Sequence, residues 1–243
     1  MSQSEKTLLS LRQQILRGDL EPGQRLLEVQ LCKEFNVSRT PVRFDLFNLE
    51  EEGILEPLPN AGFKVRSFSE EDIKDAIDFR GMVEGAAARK IAENGIDTQR
   101  IVQLKLIIEA IDKILQPEIS TEESFTRFVE LNREFHERLL EMSDSFVLQR
   151  MHKRAISLPF ASPNAMVEAQ ATLPTTRSML IIAQGHHRSL LDAIEKGEGA
   201  RAEAIGREHA RLAFEHLMKV MKAKSNKINI PGAALVSSLN LSS

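Results

Sequence analysis

Apolar residues recur every three or four positions through most of the chain, which is the spacing of amphipathic helices. The first such segment runs from Leu8 to Leu16 and stops at Gly18. A second helix is predicted over residues 28–35. A third is predicted to begin at Ser38, a residue type that caps helix N-termini well, and to close at Gly53. The N-terminal part therefore opens with three short helices.

Two short extended segments follow these helices, at residues 54–58 and 63–68. The stretch between them, Pro59-Asn60-Ala61-Gly62, is typical of a hairpin turn that needs unusual backbone angles. A helix, a helix-turn-helix and a hairpin, in this order, predict a winged helix-turn-helix domain with a small β-hairpin wing over residues 1–68.

The pattern after residue 68 is purely helical, so the predicted fold class is mainly α with an all-α helical bundle over residues 69–223. Ser69 followed by Asp72 is typical of a helix start. Helices are predicted near residues 70–94, 98–115, 120–143, 145–155, 175–196 and 199–223. Residues 224–243 lack helical periodicity, and we predict that they form a disordered tail.

Charge and cysteine content limit the possible functions. The net charge is -3, and residues 1–66 hold nine Lys and Arg against ten Asp and Glu, so any DNA-binding surface must be local. The single cysteine, Cys32, excludes an internal disulfide and a multi-cysteine zinc site. No signal peptide or long apolar run is found, so we expect a cytoplasmic protein with no membrane partner.

The third predicted helix has two unlike faces. Val42, Leu46 and Leu49 share the apolar one, whereas the N-terminal end of the other face carries four polar residues: Ser38, Arg39, Thr40 and Arg43. Such an end can enter the major groove of DNA, where Arg bonds guanine and Ser or Thr bonds bases or phosphates. An ordinary solvated helix face is the alternative interpretation.

The stretch from Gly18 to Leu26, with Glu28, Leu31, Phe35 and residues 36–43 in order, resembles the GntR family of bacterial regulators. Leu49, Glu50, Gly53 and the hairpin at residues 59–65 continue the resemblance. It implies that Ser38, Arg39, Thr40 and Arg43 contact DNA, that Gly62 forms the wing tip and that Arg25 touches phosphate. The implied partner is double-stranded operator DNA with an inverted repeat, bound by a homodimer.

Three positions depart from the usual pattern of the family. Arg43-Phe44-Asp45-Leu46 stands where the family commonly has Arg-Glu-Ala-Leu, and Ala61 stands where a basic wing residue is common. Phe44 and Phe47 fall towards the exposed side of the helix. Phe44 can contact a thymine methyl group there, or it can pack on a neighbouring subunit or domain. Both interpretations stay open at this point.

Three histidines in the helical part are candidate metal ligands. Asn132 and His136 lie four residues apart on one helix face, and His187 and His209 lie on two successive helices that can pack together. Three imidazoles and one amide oxygen suit Zn, Ni or Mn with positions left open for a ligand. Ordinary polar or core histidines are the alternative, and His186 and His216 are further candidates.

The segments at residues 80–92, 132–142, 187–194 and 209–217 resemble the FadR-type C-terminal (FCD) domain. This resemblance implies metal ligands at Asn132, His136, His187 and His209, with Asn132 where the family's metal-binding members have Asp. It also implies that Arg80 faces an internal cavity and binds a small-molecule carboxylate effector. A surface position for Arg80 is the alternative.

No phosphate-binding glycine loop, His-Glu-x-x-His motif or nucleophile elbow occurs in the sequence, so we predict that the protein is not an enzyme. We predict a DNA-binding transcriptional regulator, most simply a repressor. Its helical domain would bind a small organic acid, at a metal site, and thereby modulate operator binding. A direct metal sensor and a metal-dependent enzyme are the alternatives.

Overall fold

The computed structural model describes residues 3–59, 62–95, 97–116, 122–158, 160–164, 176–222 and 232–236. They fall into two compact units, each built from separate stretches of the chain. The first unit comprises Met1–Ile73, Ser157–Phe160 and Asn229–Ser243, and the second comprises Lys74–Ile156 and Ala161–Ile228.

The described part of the first unit contains three complete α-helices and a three-stranded sheet. The elements are α1 (Gln3–Arg17), β1 (Arg25–Leu26), α2 (Glu28–Phe35), α3 (Arg39–Glu51), β2 (Leu55–Pro57) and β3 (Phe63–Val65). The strands are antiparallel in the order β1-β3-β2. Asn36 ends α2 in the left-handed conformation, at a φ of 51°, as its residue type predicts. The sequence did not reveal β1, because two residues are too short to show alternation.

Apolar side chains of α1 and α3 form the centre of this unit. Leu11 and Ile15 of α1 are buried, as are the predicted apolar residues of α3, which are Val42, Leu46 and Leu49. Gly53 follows α3 with a φ of 77°, in the left-handed region that favours glycine. The winged helix-turn-helix predicted from the sequence is therefore confirmed.

Residues 232–236 are ordered, which corrects the prediction of a disordered tail for this part of residues 224–243. Ala233–Leu235 form a 3-10 helix, and Leu235 is fully buried. The Gly232 amide donates to the Leu16 carbonyl at 2.9 Å, and Val236 forms a parallel bridge with Phe68. Four apolar residues are too few to show a helical period, so the sequence pattern could not reveal this segment.

The second unit is helical throughout its described residues. Its helices are α4 (Glu70–Asn94), whose first turn belongs to the first unit, α5 (Thr98–Leu115), α6 (Glu122–Met142), α7 (Phe146–Ala155), α8 (Thr176–Glu195) and α9 (Gly199–Lys222). Each lies within two residues of its predicted bounds. The core consists of aliphatic and Phe side chains from α4, α5, α6, α8 and α9.

Two helices of the second unit begin with side-chain caps. Asp97 accepts a hydrogen bond from the Gln99 amide at the start of α5, and Ser145 accepts one from the Leu148 amide at the start of α7. Within the described residues, no helix combines the length and the apolar character that crossing a membrane requires.

Candidate functional site

The N-terminal end of α3 presents the four predicted DNA contacts to solvent. Ser38, Arg39, Thr40 and Arg43 are all exposed. Ser38 occupies the N-cap position with an extended backbone, but its side chain makes no capping hydrogen bond. The Ser38 hydroxyl therefore does not cap α3, although its residue type predicts that it would.

Arg43 is partly held by its neighbours. Its Nε lies 3.8 Å from Oε1 of Glu28, and its guanidinium lies 5.7 Å from the centre of the Phe47 ring. The Phe47 ring in turn meets the Phe63 ring edge-on, with centres 5.4 Å apart. These contacts link α3 to α2 and to the hairpin, and they place a positive charge on the exposed side of α3.

The three-stranded sheet and its hairpin turn carry the remaining two predicted contacts. Arg25 is exposed in β1 and lies opposite Lys64 of β3. Gly62 has a φ of 110°, and a side chain there would come within 3.3 Å of the Leu26 carbonyl, so the turn requires glycine. Ala61, the unusual wing residue, lies outside the described residues.

A cluster of three histidines lies inside the second unit, contributed by α6, α8 and α9. His136 and His187 are buried, and His209 is 9 % exposed. One ring nitrogen from each lies within 4.8 Å of one from each of the others. The predicted meeting of these three side chains is therefore observed, although they are up to 73 residues apart in the sequence.

The chemistry of these rings suits a cation. Nδ1 and Nε2 of His136, Nε2 of His187 and Nδ1 of His209 are buried without a hydrogen-bond partner in the described structure. Burial, reinforced by the neighbouring histidines, holds the pKa of His187 and of His209 well below 6.5. Both rings are therefore neutral at pH 7, as metal ligation requires.

Three other predicted candidates have different surroundings. Asn132, one turn before His136, is buried and donates from Nδ2 to Oδ1 of Asn164 at 3.1 Å, which leaves its own Oδ1 as the atom able to ligate a cation. The ring of His186 lies 5.9 Å from that of His209, outside the group of three. His216 is half-buried and is not in that group either.

Arg80 is buried rather than at the surface. Its exposed fraction is 1 %, and its Nη1 donates to the Ala161 carbonyl at 2.8 Å. Its Nε lies 3.7 Å from Oε1 of Glu84, which is too long for a hydrogen bond. Nε and Nη2 are left without partners in the described structure. A buried guanidinium edge without hydrogen-bond partners is suited to an anion.

Glu84 and His152 join this network, and the sequence analysis assigned neither. Oε1 of Glu84 lies 2.9 Å from Nε2 of His152 and 3.2 Å from Nδ1 of His136, the latter contact lacking hydrogen-bond alignment. Burial by itself raises the pKa of Glu84, but the nearby His136 and Arg80 outweigh it and hold the pKa well below 4.5. The ionised carboxylate favours a proton on Nδ1 of His136, which directs Nε2 away from it.

Gln184 is a third residue that the sequence analysis missed. Its Nε2 donates to the Ile108 carbonyl at 3.0 Å and to Oδ1 of Asp112 at 2.5 Å. Because both of these partners only accept, the other amide atom, Oε1, is the one that faces Nδ1 of His187 at 3.0 Å. His187 therefore carries its proton on Nδ1 and its lone pair on Nε2.

Two family profiles match the chain. One, described as "Bacterial regulatory proteins, gntR family", covers residues 3–65, and the other, "FCD domain", covers residues 75–212. Together with the winged helix and the helical unit, they define a DNA-binding regulator of transcription, not an enzyme. The chain belongs to the GntR family, in the group whose members carry an FCD domain.

Relatives of similar length agree with this assignment. The uncharacterized HTH-type transcriptional regulator YdhC of Bacillus subtilis (strain 168) is 26% identical over 215 residues, which are 87% of this chain and 89% of the relative. The HTH-type transcriptional repressor RspR of Escherichia coli (strain K12) is 25% identical over 228 residues, 89% of either chain. The solved structure of E. coli McbR/YncC has the same fold, with a TM-score of 0.57 at 19% identity, over 93% of this chain and 100% of that one.

Proposed function

We propose that this regulator is a repressor whose second unit holds a divalent metal ion and binds a small carboxylate, and that this binding changes its affinity for operator DNA. The observation that carries the proposal is the buried group of His136, His187 and His209, with ring nitrogens within 4.8 Å of one another and without partners in the described structure. Buried imidazole nitrogens without hydrogen bonds are costly unless something binds them.

The donor set fits Zn, Ni or Mn. Neutral imidazoles are common ligands of all three metals, and the Oδ1 of Asn132 can add an oxygen. Glu84 contacts Nδ1 of His136, and Gln184 accepts a hydrogen bond from Nδ1 of His187. Protein metal sites commonly orient imidazole ligands in this way, with an acceptor on the nitrogen that does not bind the metal. A bound divalent ion would supply a positive centre that attracts an anionic oxygen.

Arg80 supports a carboxylate as the effector. Its Nε and Nη2 are buried and lack hydrogen-bond partners in the described residues, and two adjacent N–H groups match the two oxygens of a carboxylate. Glu84 lies between Arg80 and His136, so the guanidinium and the histidines belong to one connected polar network. A ligand of this class would therefore satisfy donors that the protein leaves unpaired.

The switch would act through the geometry of a homodimer on an inverted repeat. Two recognition helices must meet successive major grooves, so a small change in their spacing or orientation weakens specific binding by several kcal/mol, on the order of one mismatched base pair or more. A relative named as a repressor supports repression as the simplest outcome.

The test is elemental analysis of the purified protein, with binding to its own upstream DNA measured on the same samples. Wild type should contain stoichiometric metal, and His136→Ala should lose it. His216→Ala is the matched control, because His216 lies outside the group of three and should keep the metal. Wild type without metal after supplementation with Zn, Ni and Mn would contradict the metal site.

The effector is tested on metal-loaded protein with a panel of small mono- and dicarboxylates. At least one should raise the unfolding temperature of wild type and change its affinity for DNA. Arg80→Gln should keep its metal but lose the response. If metal is bound and carboxylates have no effect, whereas metal alone changes DNA binding, the protein is a direct metal sensor and the effector proposal is wrong.

A further inference from the structure

Phe44 is the most exposed large apolar residue of α3, with 64% of its surface accessible. It lies one turn after Thr40 on the same helix face and next to Arg43. Unlike Phe47, which packs on Phe63, Phe44 meets no other aromatic ring among the described residues. Covering a ring of this size with a partner would gain free energy by removing its apolar surface from water.

The surroundings of Phe44 are positively charged. Arg39 and Arg43 flank it on the exposed face of α3, and the only acidic residue in the first two turns, Asp45, is 2% exposed on the opposite side. A surface of two arginines, a threonine and one apolar ring offers donors to phosphates and base edges and an apolar contact to a thymine methyl group. It is also continuous with the end of α3 that a helix-turn-helix regulator inserts into the major groove.

We propose that Phe44 reads the methyl group of a thymine in the operator. In the major groove, the C5-methyl group is the apolar feature that distinguishes thymine from the other bases, and Phe is one of the residues that recognise it. Arg43 stands on the same face, with 64% of its side chain exposed, and Phe44 is the apolar side chain of the second turn that projects into solvent beside it. The inference goes beyond the proposed switch, because it needs neither metal nor effector.

The experiment uses full-length protein and a duplex recovered by the wild type from a randomised DNA pool. Each thymine is replaced in turn by deoxyuridine, which removes the methyl group and keeps the base pair. At one symmetry-related thymine pair, the replacement should weaken wild-type binding about fourfold for each half-site, the effect of one buried methyl group.

Phe44→Ala should bind the thymine duplex about tenfold more weakly than wild type does. The variant should bind the deoxyuridine duplex as tightly as it binds the thymine duplex, because the methyl group contributes to binding only through its contact with the ring. Leu9→Ala is the control, since Leu9 is an exposed apolar residue of α1 in the same unit, and it should stay as sensitive to deoxyuridine as wild type.

Two results would overturn the proposal. Wild type that is indifferent to deoxyuridine at every position excludes methyl recognition. Losses that add independently for Phe44→Ala and deoxyuridine show that the ring and the methyl group do not touch. If the wild type is indifferent and Phe44→Ala also changes the mass in sedimentation, the ring packs on a second copy of the chain instead. Unchanged thermal unfolding of the variant confirms that its fold is intact.

Discussion

Gln184 determines which nitrogen of His187 is available to a metal. Its side chain is held from two sides by the Ile108 carbonyl and by Asp112, and Asp112 is itself paired with Arg188, 2.6 Å away. The amide therefore cannot rotate without losing both acceptors. This fixes the acceptor atom opposite Nδ1 of His187, and Gln184 is a positioning residue of the proposed site.

Gln184→Leu should lower zinc affinity about 10- to 100-fold, because the Nδ1 proton of His187 loses its acceptor and the correct tautomer is no longer favoured. Competition with a chromophoric chelator measures the affinity. Gln103→Ala, on the exposed side of α5, should leave it unchanged.

A purely structural loss is separated from loss of orientation by a rescue. In Gln184→Glu with Asp112→Asn a carboxylate oxygen faces Nδ1 of His187 and the new amide at position 112 donates to the second oxygen, although the Ile108 carbonyl loses its donor. Nitrogen NMR of the His187 ring should then report Nδ1 protonated, as in wild type. If zinc affinity falls in Gln184→Leu while the tautomer stays unchanged, the positioning role is wrong.

The histidines could be predicted from the sequence, whereas the residues that orient them could not. His136, His187 and His209 stood out by residue type and by resemblance to a family. Glu84 and His152 are 68 residues apart, and Gln184 and Asp112 are 72 apart, so their partnerships depend on how the helices pack. The available signals were weak: Glu84 follows Arg80 by one turn, and Gln184 precedes His187 by three residues.

At the scale of the helix, Ser69 and Asp72 start α4 by capping each other. The Ser69 amide donates to Oδ2 of Asp72 at 2.7 Å, and the Asp72 amide donates to the Ser69 hydroxyl oxygen at 3.0 Å. The sequence pattern predicted this helix start. The bonds from the Ser69 hydroxyl, and then from its amide, lower the pKa of Asp72 below 3.8.

Asp72→Ala should therefore lower the free energy of unfolding by about 1 kcal/mol at pH 7, the usual worth of a helix cap. The pKa of Asp72 is lower in the folded state than its ordinary value of 3.8, so the carboxylate stabilises the fold fully above pH 3.8. This stabilisation is lost as the pH falls through the folded-state pKa. Urea titrations of wild type and variant should converge in that acidic range. A difference that is independent of pH would assign the effect to something other than the carboxylate.

The crossing of α4 and α9 depends on glycine. A side chain on Gly85 would lie 2.7 Å from the Glu203 carbonyl oxygen, and one on Gly206 would lie 2.9 Å from the Gly85 Cα. Both obstacles are backbone atoms, so they cannot rotate away. The close approach holds the helix of Arg80 and Glu84 against the helix of His209.

Gly85→Ala should cost about 1–3 kcal/mol of stability, the range for overpacking, and should lower the metal content as α4 and α9 move apart. Gly185→Ala is the matched control within α8, where nothing lies within 4 Å of the added carbon. It should be neutral or stabilise by up to about 1 kcal/mol, since Ala favours helix. Equal unfolding temperatures for the two variants would contradict this account of the crossing.

At the scale of the whole molecule, a bound metal should raise the unfolding temperature. Binding to the native state alone stabilises it by about 2.7 kcal/mol at a hundredfold excess over Kd, which corresponds to roughly 5 °C or more for a chain of this size. Calorimetry of wild type before and after chelation should show that the unfolding temperature falls by this amount when the metal is removed. His136→Ala should already unfold at the lower temperature and should not respond to the chelator.

Over the described residues the order of the α-helices and of the two hairpin strands was predictable, whereas β1, the 3-10 helix and the grouping of the elements were not. The helix bounds follow from periodicity and from caps such as Ser145. The assignment of residues 157–160 and 232–236 to the first unit depends on contacts made far along the chain, such as the Phe68 and Phe160 rings, whose centres are 5.6 Å apart. The local sequence pattern does not indicate such contacts.

The docked segment around Leu235 limits how this DNA-binding module can be exchanged between proteins. A chimera that joins residues 1–73 to a foreign sensor keeps the whole GntR match, yet it loses the Gly232 to Leu16 bond, the bridge at Phe68 and the buried Leu235. Such a graft should unfold at a lower temperature than the same module in the intact chain, and supplying residues 229–243 as a C-terminal extension should restore part of the loss. Recombination that exchanges the DNA-binding part of these regulators as one continuous stretch of sequence would then be constrained. The segment it leaves behind lies more than 150 residues after the junction at residue 73.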